Sequence, residues 1–80
     1  MTYHLVIRIR SDKHIGERLY RDDIVFAVPP VVGDAVSWHG DWGCATVTYR
    51  YIGTDWVELG LGVVGEHEIE SYVAAGWTFR

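Results

Sequence analysis

The chain has 80 residues, of which 49% are hydrophobic and 14% aromatic, including four Trp and five Tyr; this composition supports a single packed domain over residues 1–80 and excludes a disordered segment. Seven Lys and Arg against eleven Asp and Glu leave a net charge of −4, which disfavours a nucleic-acid partner, because affinity for a phosphate backbone comes from cations that displace counterions. Cys44 is the single cysteine, so no internal disulfide can form and a reducing cytoplasm is the expected setting.

Over residues 3–10, Tyr3, Leu5, Ile7 and Ile9 alternate with His4, Arg8 and Arg10, the period-two pattern of a strand with one buried face. Arg8 interrupts the apolar run, leaving it too short for a signal peptide or a membrane span. Residues 11–16 are polar and end in glycine, which marks a turn. A second strand is predicted over 22–28, where Ile24, Phe26 and Val28 share a parity with Tyr20. Pro29 and Pro30 stop it, since neither carries an amide donor.

Gly33-Asp34 predicts a tight turn before a short strand ending at Trp38, and His39-Gly40-Asp41-Trp42-Gly43 reads as a hairpin loop. A fourth strand is expected over 44–52, with Ala45, Val47, Tyr49 and Tyr51 on one face and Thr46, Thr48 and Arg50 on the other. After a turn at Gly53-Thr54-Asp55, residues 56–61 form a fifth strand with Val57, Leu59 and Leu61 facing the core and Trp56 facing away. Gly60 and Gly62 mark curvature or a bulge there. Over 66–75 the period becomes helical: Ile69, Tyr72 and Val73 fall on one stripe, Glu66, Glu68 and Glu70 favour the dipole's positive end, and Gly76 is placed as C′. So short a helix needs docking, for which Ile69 and Val73 are the expected contacts. Residues 77–80 alternate again as a last edge strand.

The fold class expected is therefore mainly β with one short C-terminal helix at about 66–75: five to six short strands in a bent antiparallel sheet closing towards a barrel. The segment Pro30-Val31-Val32-Gly33-Asp34-Ala35-Val36 and the following hairpin resemble the small SH3-like β-barrel proteins, many of bacterial or phage origin, that carry a Pro-x-x-Gly-Asp-x-Val turn before a pair of strands. The likeness spans about residues 28–61. It implies an accessory or interaction module and carries over no catalytic residue.

Chemistry-bearing groupings are sparse. His39, Asp41 and Cys44 are the one close set of metal-capable side chains, and no second His or Cys pair is near in sequence to complete a zinc site; neither metal nor cofactor is expected. Cys44 as a nucleophile would need His39 as base and an electropositive setting, which an acidic chain does not offer. Its bland reading is a small hydrophobe packed inside. Glu66, Glu68 and Glu70 are two apart and diverge on a helix.

The tryptophans are harder to absorb into a core, Trp42 above all, because it lies in a loop between Asp41 and Gly43. Rigid exposed aromatics are characteristic of interfaces. The leading expectation is a non-catalytic phage or mobile-element module that binds or inhibits a partner protein, or a second copy of itself, through His39, Asp41 and Trp42 with Tyr49, Tyr51 and Trp56. The alternative is a nucleotide-like small molecule stacked on Trp and Tyr, with Arg8, Arg10 or Arg50 taking its phosphates. A nucleic-acid-binding barrel ranks third.

Overall fold

The alternating segment at the front of the chain becomes the centre of the molecule. In a computed structural model, which describes residues 2–37 and 44–79 and of Thr2 the backbone only, β1 (Thr2–Arg10) is hydrogen-bonded along both edges. One neighbour is β2 (Arg18–Arg21), antiparallel; the other is β6 (Trp56–Gly65), parallel. β5 (Tyr49–Ile52) lies outside β6 and β7 (Thr78–Phe79) outside β2, giving a five-stranded sheet ordered β5-β6-β1-β2-β7. β3 (Ala35–Ser37) and β4 (Cys44–Thr46) pair as a separate two-stranded sheet, and α1 (Ile69–Ala74) follows β6. Among the described residues the chain is thus mostly β, with seven strands in two sheets and one short helix.

The antiparallel barrel of five to six strands is corrected by this arrangement. The described strands do not close into a barrel, and the β1–β6 pair is parallel. Turn chemistry reveals which adjacent segments form hairpins, but a parallel pair needs a long crossover, here the whole stretch from β2 to β5. The register runs from Thr2↔Trp56 to Val6↔Gly60, then slips to Arg8↔Val63. Gly62, at φ +96°, sits at that slip, so one of the two glycines read as bulge markers is the bulge residue.

Two strand boundaries also differ from expectation. β2 ends at Arg21, and 22–28 is irregular chain instead of a strand. A 3-10 turn at Asp12–His14, capped by the Ser11 side chain accepting from the Lys13 amide at 3.1 Å, reverses the chain, and β1 pairs with the residues just beyond it. The apolar run farther on lies past the register. Its parity survives in part: Ile24 is buried and Phe26 packs on the core, while Val25 is 91% exposed. Val28, placed on the inward parity, is exposed.

The predicted strand over 44–52 is two strands in two sheets. At the corner, the Val47 amide donates to the Asp34 carbonyl and the Val47 carbonyl accepts from Gly33, both at 2.9 Å, while Thr48 N–H donates to the Gly60 carbonyl at 2.8 Å. The chain therefore transfers from one sheet to the other within a residue, around a buried Val47 side chain. The turn it leans on is the expected one. Gly33 has φ +97°, the Asp34 amide donates to Val31 O at 3.0 Å, and the Asp34 carboxylate accepts from the Val31 amide at 2.9 Å.

One core lies between the sheet and what covers it: Leu5, Ile7, Leu19, Val57, Leu59 and Leu61 from the sheet meet Ile24, Val36, Val47 and Trp77. A 3-10 turn at Glu66–Glu68 leads into α1, with Glu68 reaching back to the Gly65 amide at 2.8 Å. Ile69 and Tyr72, not Val73, face the core; Val73 is exposed. A helix this short shows only one turn inward, and the stacking of Tyr72 on Trp77, with centroids 5.7 Å apart, decides which. Gly76, at φ +109°, closes the helix: its amide donates to Val73 O and that of Trp77 to Tyr72 O, both at 3.1 Å, the paired bonds of a Schellman end. Buried Arg21 secures it from the sheet, donating to Ala75 O at 2.8 Å and to Asp23 at 2.7 Å.

Candidate functional site

Residues directly opposite on neighbouring strands share a sheet face, as do positions two apart on one strand. The registers His4↔Glu58, Val6↔Gly60 and Val6↔Tyr20, with Tyr49↔Gly60 and Tyr51↔Glu58, therefore gather on the face that turns away from the core. That face is aromatic: Tyr51 and Trp56 at its rim, Tyr49, Tyr20 and His4 towards its middle, Glu58 among them.

Two glycines make this arrangement possible. Tyr49 lies flat over Gly60, where an added Cβ would fall within its ring, and the Trp56 indole occupies the corresponding space over Gly53. Gly53 also closes the β5–β6 hairpin, its amide donating to Trp56 O at 2.8 Å. Lying down brings the Tyr49 hydroxyl to Glu58 Oε2, to which it donates at 2.6 Å. Burial first, then this carboxylate, pushes the Tyr49 phenol up to about 12. Tyr51 stacks on Trp56 with ring planes 4° apart and centroids 5.9 Å apart. On the other side, His4 meets Trp56 edge-on at 6.3 Å, and its Nδ1 donates to the Asp22 carboxylate at 2.7 Å.

Two hollows open on this face. One, of about 260 Å³, is walled by His4, Tyr20, Trp56 and Glu58. The next, of about 290 Å³, lies beyond the Tyr49–Glu58 pair and includes Val6, Arg8, Tyr49 and Gly62 in its wall. Charge is divided along the face: Glu58 and Asp22 stand at one end, Arg8 and its cross-strand neighbour Arg18 at the other.

Of the residues expected to bind, Tyr49, Tyr51 and Trp56 are brought together here. His39, Asp41 and Trp42, like Trp38, lie outside the described residues. Cys44, read as a packed hydrophobe, is exposed, because on β4 it is Ala45 that takes the inward parity and packs on the core. Trp77 is buried beneath the helix as its position suggested. Sequence reasoning missed His4, Tyr20 and Glu58. The even parity of β1 and β6 already set His4 and Glu58 off the core, but only the parallel pairing makes them neighbours. Family models, curated proteins and solved structures were compared with this chain, and none matches it.

Proposed function

We propose that this chain is a non-catalytic binding module that takes a partner protein on the open face of its five-stranded sheet. The observation that carries the reading is the Tyr51–Trp56 stack: Tyr51 is 64% exposed yet held parallel to Trp56. Large rings fixed in place contribute interface area at little entropic cost. The finer role that accords with this is capture or inhibition of a partner in a reducing cytoplasm by a phage- or mobile-element-type accessory protein. A relationship to the SH3-like proteins is part of the proposal, supported by the Gly33-Asp34 turn ahead of β3.

Capture by the immobilised full chain tests it. Tyr51→Ala and Trp56→Ala should each lose a protein that the wild type retains, while circular dichroism shows the fold intact; retention by both folded variants would refute the reading. A nucleotide is the second reading, favoured by Arg8 in the same hollow as Tyr49. A thermal-shift series with nucleotides supports it if the melting temperature rises and refutes it if none does.

A further inference from the structure

We infer that the hollow walled by His4, Tyr20, Trp56 and Glu58 receives a cationic side chain, arginine or lysine, of the partner. The inference rests on the open face being the binding surface and names the chemistry that surface selects. Two of the four lining residues, Tyr20 and Trp56, offer aromatic faces and a third, Glu58, a carboxylate, the combination that attracts a cation through ring quadrupoles and neutralises it at one point. The volume of about 260 Å³ equals roughly nine water volumes. A side chain fits that size, whereas a bare metal ion would leave most of it empty.

The state of Glu58 carries the argument furthest. It is half-buried, and among the described residues no Lys or Arg pairs with it. Its bond from Tyr49 is donated by a neutral phenol, so in this aromatic setting the carboxylate is met by a hydrogen bond and not by an ion pair. Asp22 engages His4 and adds to the negative end, while Arg8 and Arg18 stand towards the other hollow, where Arg18 acts on the Tyr49 hydroxyl and forms no salt bridge with Glu58. A hollow meant for an apolar side chain would not place a carboxylate in its wall, because desolvating it unpaired opposes binding. The net charge of −4 points to the same class of partner.

The test is an NMR titration of the labelled full chain with N-acetylarginine amide and N-acetyllysine amide, against N-acetylnorleucine amide as the uncharged counterpart. The cationic probes should give saturable millimolar shifts at the Trp56 indole N–H and at His4, Tyr20 and Glu58, with the norleucine probe at least about fivefold weaker. Trp56→Leu should weaken the cationic probes about tenfold. Glu58→Gln, which retains an acceptor for Tyr49, should weaken them roughly fivefold and leave norleucine unchanged. Amide dispersion of the core strands establishes that each variant is folded. Equal response to charged and uncharged probes, no response, or shifts centred elsewhere overturns the inference. If Trp56→Ala abolishes partner capture while Glu58→Gln does not, the binding face stands and the cationic occupant falls.

Discussion

Replacing Gly60 by alanine should cost this protein stability, although alanine is ordinarily the better strand residue by about 0.5–1 kcal/mol. The reason is Tyr49. The new Cβ would fall within the space of its ring, so the ring must lift from the sheet and the 2.6 Å bond to Glu58 must break. A hydrogen bond to a charged acceptor contributes about 1.5–3 kcal/mol, and the lower figure applies where both groups regain water. Re-exposing about half of an aromatic side chain of ~150 Å² at ~25 cal/mol/Å² adds roughly 2 kcal/mol. After the alanine gain the net loss is about 2–3 kcal/mol. In a domain of this size that lowers the melting temperature by roughly 10–20 °C. Thermal unfolding followed by circular dichroism measures the loss, and tyrosinate absorbance locates its origin: the late phenol should move from about 12 back towards 10.0. Against a Tyr49→Ala background the same substitution should be neutral or mildly stabilising, because the ring is gone. An unchanged melting temperature with the late phenol still present would refute the reasoning.

The same phenol contributes to the loss of stability at alkaline pH. Its pKa is raised in the folded protein from 10.0 to about 12, so between those values the folded state holds more protons than the unfolded one; stability is intact below pH 10 and falls as pH rises towards 12. Tyr49→Phe should flatten that decline in alkaline denaturant titrations. Gly76→Ala forces a side chain to φ +109°, costing about 1–2 kcal/mol, measurable as a lower urea midpoint at unchanged slope. Arg21→Ala removes the bond to Ala75 O and should cost about 1.5–3 kcal/mol. Hydrogen exchange should quicken in α1 well before β1, and uniform quickening would contradict a local clamp.

What could be read without coordinates was what short-range chemistry determines. The alternation of Leu5, Ile7 and Ile9 announced β1, the Gly33-Asp34 turn and the Gly76 helix end lay where their residues demanded, and Val57, Leu59 and Leu61 faced inward. The failures concern relations between distant segments. Ile24-Val25-Phe26-Ala27-Val28 has strand propensity, but β1 had already paired with Arg18–Arg21, and propensity does not reveal which partner is taken. Val47 looks like any other strand residue until Gly33 and Asp34 supply its hydrogen bonds. The site divides along the same line: Tyr49, Tyr51 and Trp56 belong to one hairpin and were legible, whereas His4 and Tyr20 join them only through β1 beside β6.

That parallel pair also shapes how the protein is made. β1 leaves the ribosome before β6, and β2 can close on one of its edges almost at once. The other edge waits for β6, whose first residue, Trp56, pairs with Thr2. At 5–20 residues per second, the intervening stretch takes about 3–10 s to synthesise. For that time a strand rich in Leu, Val and Ile presents unpaired amides and carbonyls to its surroundings, the condition under which nascent chains pair with the wrong neighbour. Arg8 and Arg10, which discourage edge-to-edge pairing, lie on this strand. The central strand of the finished sheet thus begins as its exposed edge, and a chain halted before β6 would be a nucleus for aggregation.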